Sequence, residues 1–259
     1  MKSHRPTQQL IEEALRERRC AVGLNEPQRR ALHRRYQAGI LARPYRNVYA
    51  PTEHWQTLAP DERHMHVARA LQDLHPHWGF AGLTAATALG FDTSYELHIP
   101  LRITIASEFH PTNHQYRQLD RIVIPGAELV RASDLQVTTP RRTLIDCSQR
   151  YPFIEVLPMM NAALRMGIPI DGLPIECARM GLDADIMERL CRYATPLCEN
   201  GGESKFYAST IGLGFVPPRR SIPSPTRRIP KRHTAPILCG ARKMAASWWS
   251  NSMAWANIR

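Results

Sequence analysis

The chain has 259 residues, of which 43% are hydrophobic, so it is long enough for two or three domains with a buried core. Its six cysteines include no Cys-x-x-Cys pair and its eleven histidines are dispersed, so we expect no zinc site, no disulfide framework and no cofactor, in a reducing cytoplasm. An apolar signal core and an apolar run of membrane-spanning length are absent, so we expect no membrane partner.

The net charge of +11 is unevenly distributed. Residues 1–50 contain eleven Lys/Arg and four Glu, a net charge of +7, whereas residues 51–203 carry −6. Residues 204–259 contain ten Lys/Arg and no acidic residue. The sequence therefore predicts a basic head at 1–50, an acidic middle and a basic tail, and each part needs its own explanation.

The head contains an apolar-patterned helix at residues 7–19, a turn at 22–24, and then a basic helix. Asn25 is a good N-cap, Pro27 suits the first turn, and Gln28 can close a capping box. Gly39 is expected to end the helix. A pair of short β-like runs follows at 39–42 and 47–50.

A basic helix followed directly by a basic hairpin is typical of a winged helix-turn-helix, in which the helix enters the major groove and the wing contacts the backbone. Arginine side chains suit phosphate oxygens and guanine edges. The alternative is a solvated helix with a hairpin that merely packs on the next domain. The DNA-binding candidates are Arg29, Arg30, Arg34, Arg35, Arg43, Tyr45 and Arg46.

The middle, residues 51–198, has the mixed pattern of an α/β (α+β) domain with a small sheet. Its predicted helices are a segment from residue 52 ending at 71, then 79–91, 140–147, 153–166 and 180–193, and its predicted strands are 97–106, 121–125 and 135–139. Arg141 and Arg142 are expected to form internal ion pairs with Asp134 or Asp146. A serine or cysteine hydrolase has no support, because no Gly-x-Ser-x-Gly occurs and the spacing of the cysteines and histidines indicates no Cys–His pair.

Three segments resemble the AbiEi-type antitoxins. The wing at 38–50, the small-residue run at 82–90 and, most specifically, VTTPRRTLID at 137–146 are similar to the family's motifs, over about residues 10–200. Asn47 stands where the family usually has glycine, and the first helix of the head is short. The resemblance implies a cytoplasmic DNA-binding regulator of a type IV toxin–antitoxin system that represses its own operon, with a toxin as partner.

Residues 199–218 resemble the opening of a very-short-patch-repair endonuclease domain, which is a restriction-endonuclease-like fold. Glu203 would match that domain's first acidic position. A nuclease of this kind needs several carboxylates to hold Mg²⁺, and the rest of the chain to residue 259 supplies none. We therefore interpret the protein as a DNA-binding regulator that has no enzymatic activity and no small-molecule substrate. The alternative is that it is an inactive remnant of such a Mg²⁺-dependent endonuclease.

The tail at 219–259 is rich in proline and arginine and is expected to be disordered. In a shifted reading frame, its codons permit the missing endonuclease strands, including a Val-Val-Glu-Phe-Asp-Gly run. We therefore interpret the tail as the product of a frameshift near Pro218. The alternative is a genuine basic arm that binds nucleic acid by charge.

Overall fold

The computed structural model describes residues 5–109 and 118–215. Within these ranges the protein is a mixed α/β structure with two sheets. The helices are α1 (Arg5–Arg16), α2 (Glu26–Gln37), α3 (Thr52–Thr57), α4 (Pro60–Leu74), α5 (Gly82–Ala88), α6 (Pro140–Ser148), α7 (Phe153–Arg165), α8 (Leu173–Arg179), α9 (Ala184–Tyr193) and α10 (Gly201–Gly212). The strands are β1 (Ala21–Val22), β2 (Leu41–Tyr45), β3 (Val48–Pro51), β4 (Gly79–Phe80), β5 (Ile103–Ser107), β6 (Leu119–Val123), β7 (Leu129–Ala132) and β8 (Leu135–Thr138).

The head is built on a three-stranded antiparallel sheet in the order β1-β3-β2. Helices α1 and α2 cover it through a small apolar core that includes Ile11, Ala14, Leu32, Leu41 and Tyr49. Burying one face of each amphipathic helix in this way leaves the opposite face of α2 in solvent. The exposed face is where the basic side chains lie.

The sequence predicted the basic helix and the hairpin but missed β1, which was interpreted as part of a turn. Ala21 and Val22 pair with Tyr49 and Val48 of the hairpin. Residues 5–50 contain two helices, so the head has helix–strand–helix–hairpin order without the third helix of a complete tri-helical core. The winged-helix assignment therefore remains a proposal.

The second sheet has five strands in the order β6-β5-β4-β8-β7. Its pairings are mixed: β4 lies parallel to β8 and antiparallel to β5. Apolar side chains of α4, such as Val67 and Leu71, pack with Phe80, Ile105 and Val137 of this sheet. The same core contains Val48 and Ala50 of the hairpin. The head is therefore packed against α4 and the five-stranded sheet.

Helices α6 to α10 form a helical layer around a separate apolar core. Leu144 of α6, Leu157 of α7, Leu190 of α9 and Ile211 of α10 are among its buried members. A buried hydrogen bond from Asn161 Nδ2 to Ser204 Oγ, 3.1 Å long, also joins α7 to α10. Helix α10 is therefore part of this layer.

Three predicted elements of the middle are wrong in detail. The helix predicted at 180–193 begins four residues later, at Ala184, because Gly181 adopts φ +69° and Asp183 caps α9, and helix α8 at Leu173–Arg179 was not predicted. The predicted helix at 79–91 begins as strand β4, and only the end of the predicted strand at 97–106 is a strand, since Pro100 has no N–H for a ladder. Strand β7 was not predicted.

The described residues all belong to one compact unit. The boundaries predicted at residues 50 and 198 fall inside this unit and stay predictions. The predicted tail at 219–259 lies outside the described residues. Among the helices that the structure describes, none combines the length and the apolar character needed to cross a bilayer.

Candidate nucleic-acid interface

Helix α2 begins where the sequence predicted it. The Asn25 side chain accepts a hydrogen bond from the backbone N–H of Gln28 at 3.0 Å, which satisfies one of the free amides of the first turn. Gln28 Oε1 accepts from the backbone N–H of Leu24 at 2.9 Å, one residue before the partner expected in a capping box. These two bonds fix the direction in which the chain enters the helix.

A groove of about 470 Å³ runs between α2 and the β2–β3 hairpin. Helix residues at spacings of three, four and seven lie on one face, and Glu26, Arg29, Arg30 and His33 follow this spacing along the groove. The hairpin supplies the opposite side. The lining residues are Glu26, Arg29, Arg30, His33, Arg43, Arg46, Asn47 and Tyr49.

The charged side chains of the groove are held by local contacts. Arg30 Nε lies 2.8 Å from Glu26 Oε1, in an exposed i, i+4 ion pair that also suits the positive end of the helix dipole. The Arg43 guanidinium lies over the Tyr36 ring, 5.0 Å from its centroid. Four arginines and one glutamate leave the groove strongly positive.

Five of the seven DNA-binding candidates are exposed: Arg29, Arg30, Arg34, Arg43 and Arg46. Arg34 lies on the exposed part of α2 but does not line the groove. His33 and Asn47 line the groove and Tyr36 lies beneath Arg43, although none of the three is among the residues predicted from the sequence. His33 and Tyr36 could have been found from their helical spacing to Arg30 and Arg29.

Arg35 and Tyr45 do not lie on this surface. Each is only 8% exposed. Arg35 Nη1 donates to Gln8 Oε1 of α1 at 3.2 Å, and Tyr45 packs in the core beneath the hairpin. The charge pattern could not distinguish them, because a helix packed on both a sheet and a second helix turns some of its basic positions inward. We leave both out of the interface.

Glu203 has a structural partner. It lies in the first turn of α10, where its Oε2 accepts from the backbone N–H of Glu199 at 2.8 Å, while its own N–H donates to Asn200 Oδ1 at 3.0 Å. As with Gln28 in α2, the side chain accepts from one residue before the partner expected in a capping box, since Asn200 is the N-cap. Within the described residues, no group of three or more His, Cys, Asp or Glu side chains is arranged to hold a metal ion.

Arg141 and Arg142 are held inside the protein. Arg142 Nε lies 2.9 Å from Asp146 Oδ1, so the predicted ion pair between Arg142 and Asp146 is confirmed. Burial raises the pKa of Asp146 to about 6, although Arg142 opposes this shift. Arg141 pairs instead with Glu176 of α8 and donates to the carbonyl of Asp171 at 2.9 Å. The TPRRT segment thus fastens the start of α6 to α8.

The middle also contains a buried histidine pair that the sequence did not predict. His64 of α4 and His98 approach each other with their Nδ1 atoms 3.1 Å apart. His64 Nε2 lies 2.8 Å from Thr84 Oγ1, and His98 Nε2 lies 3.0 Å from Thr93 Oγ1. Burial lowers the pKa of His64 to about 3, so the pair is neutral at physiological pH.

Comparison with known proteins gives little further constraint. No protein-family model matches the chain, and no curated protein matches it. The crystal structure of the RV2827C protein from Mycobacterium tuberculosis is similar at 14% identity and a TM-score of 0.35, over 72% of this chain and 70% of that one. A likeness at this level carries no argument about fold or function.

Proposed function

We propose that this protein binds double-stranded DNA through the groove between α2 and the β2–β3 hairpin and represses its own operon. The observation that carries the proposal is the meeting of arginines from two separate elements, Arg29 and Arg30 of α2 with Arg43 and Arg46 of the hairpin, along one groove. If α2 merely exposed its basic face to solvent, there would be no reason for the hairpin to place arginines along the same groove.

The arrangement suits a duplex. A helix whose exposed face carries arginines can lie in the major groove, where guanidinium groups bind guanine edges and flanking phosphates. The adjoining hairpin would then reach the phosphate backbone, as the wing of a winged helix does. Because most of this attraction is electrostatic, the binding should weaken steeply with salt.

The proposal extends to a cytoplasmic regulator of the antitoxin type, without endonuclease activity. The net charge of −6 over residues 51–203 would complement a basic partner protein, and we propose that a cognate toxin is this partner. The capping role of Glu203 accounts for the one acidic residue that the endonuclease resemblance singled out.

The test compares two matched arginine variants of the full chain. Arg30 and Arg192 each form an i, i+4 ion pair with a glutamate on an exposed helix face, and their side chains are 75% and 65% exposed. Arg30→Ala should weaken binding to DNA from upstream of the gene about tenfold and reduce the slope of log affinity against log salt by about one. Arg192→Ala should do neither.

Binding is measured by fluorescence anisotropy from about 50 to 200 mM salt, the range over which phosphate contacts change affinity most visibly. Equal losses in both variants would mean that only the overall charge of the protein attracts DNA. Such a result, or an absence of binding by the wild type at low salt, would contradict the proposal.

A further inference from the structure

One backbone carbonyl joins the two sides of the groove. The Gly23 oxygen accepts a hydrogen bond from Asn47 Nδ2 at 3.0 Å and another from Arg29 Nε at 3.2 Å. Asn47 is at the tip of the β2–β3 hairpin, Arg29 is in the first turns of α2, and Gly23 lies in the segment that leads into α2. The helix, the hairpin and this segment therefore meet at a single atom.

The residue types at this junction are restricted by geometry. A Cβ on Gly23 would lie 2.8 Å from the backbone N and Cα of Arg29, so the close approach requires glycine. Asn47 adopts φ +58°, a left-handed conformation that asparagine tolerates better than most residues. Unlike glycine, which would also suit this backbone, asparagine has a side-chain amide that can donate across to Gly23.

Strand pairing alone does not fix the tip of the hairpin. Ala42 pairs with Ala50, but the next pair is Tyr45 with Val48, with a shift of register between them. The two arginines on this side of the groove, Arg43 and Arg46, lie within or next to this irregular part. An interrupted ladder restrains the backbone less than a continuous one, so contacts outside the ladder help to set the position of the tip. Gln118 Nε2 donates to the Pro44 carbonyl at 3.1 Å, the Arg43 guanidinium lies over the Tyr36 ring, and Asn47 donates to Gly23.

We propose that Asn47 is a positioning residue, whose hydrogen bond to Gly23 holds the hairpin arginines at a fixed distance from those of α2. This inference rests on the proposed function, since it concerns the same DNA-binding groove. If the groove already has its binding conformation in the free protein, the hairpin loses little conformational entropy when DNA binds. The smaller entropic cost increases the affinity. Asn47 acts through the arginines and need not contact DNA itself.

The test uses Asn47→Gly in the full chain, because glycine keeps the left-handed backbone and removes the side-chain bond; since glycine also gives the backbone more freedom, Asn47→Asp is measured beside it to isolate the bond. Gln149→Ala is the matched control, since Gln149 also bridges two segments, with its Nε2 donating to the Asp183 carbonyl at 3.0 Å. Two quantities are measured: the NMR order parameters of the backbone amides at residues 46–48, and the affinity for DNA from upstream of the gene.

In Asn47→Gly, we expect the order parameters at the tip to fall from about 0.85 to below about 0.6 and the DNA affinity to fall roughly three- to tenfold. The salt slope should stay at the wild-type value because no phosphate-binding arginine is lost. A purely structural role would instead lower the melting temperature, which we expect to change by no more than about 3 °C. Gln149→Ala should leave the tip and the affinity unchanged.

Asn47→Asp gives a second measurement of the tip alone. Aspartate fits the same backbone but has no N–H to donate, so it should loosen the tip as glycine does. Wild-type order parameters in Asn47→Asp would overturn the inference, as would an unchanged DNA affinity beside a loosened tip. If the wild type itself binds no DNA, the proposed function fails, and the order parameters still decide whether Asn47 holds the hairpin.

Discussion

At the scale of single residues, burial divides arginines that the sequence presents as equivalent. Arg34 and Arg35 are neighbours on α2, yet Arg34 is exposed and Arg35 is 8% exposed with a hydrogen bond to Gln8. Which side of a helix packs depends on the elements around it, here both α1 and the small sheet. A run of basic residues in the sequence does not contain that information.

This pair gives a direct test of the packing. Arg35→Ala should lower the free energy of unfolding by about 1–3 kcal/mol, because it removes the part-buried hydrogen bond to Gln8 and the packing of a buried side chain at the α1–α2 contact. Arg34→Ala should change it by no more than about 0.5 kcal/mol. Urea unfolding followed by circular dichroism measures both. Equal stability of the two variants would contradict the orientation of α2.

At the scale of elements, the sequence was most informative where local signals agree. Asn25, Pro27 and the helical spacing of Leu32 specify α2, and the VTTPRRTLID segment specifies the step from β8 to α6. The two-residue strands β1 and β4 were missed because so short a strand has no periodicity of its own. They exist only through pairing with residues distant in sequence, such as Tyr49 for Ala21.

Buried histidines on α4 and on the 3-10 turn at Tyr95–His98 give stability a dependence on pH. Burial lowers the pKa of His64 to about 3 and that of His66 to about 4, and it also lowers the pKa of His98. Asp61 beside His98 acts in the opposite direction, but its effect is smaller than that of burial. These histidines therefore bind protons in the unfolded chain at pH values where the folded chain leaves them neutral.

Stability should consequently fall as the pH drops below about 6.5, the usual histidine value, towards 4. His64 and His66 each contribute a loss of roughly 1 kcal/mol per pH unit in this range, and His98 acts in the same direction. Asp146 partly offsets the effect of one histidine. Its pKa is raised to about 6, so between the usual aspartate pKa and pH 6 the folded state binds this proton better than the unfolded state does. Urea unfolding at pH 7, 6 and 5 checks the sign. A free energy of unfolding that stays constant or rises on acidification would contradict the buried, neutral histidines.

At the scale of the whole molecule, the distribution of charge along the sequence is more informative than the net charge. The +7 of residues 1–50 predicted a basic surface, and the structure brings part of that charge to one groove through two elements. The sequence could not show the groove, because its two sides are brought together by the Gly23–Asn47 contact and by pairing of β1 with β3. The repressor and antitoxin roles stay proposals.

The account depends on the claim that DNA contacts the groove between α2 and the hairpin. Amide hydrogen exchange of the full chain, with and without a duplex from upstream of its gene, locates the contact directly. We predict slower exchange on binding within residues 24–49 and unchanged exchange in α8 and α9. Protection of α8 or α9 with residues 24–49 unaffected would contradict the account.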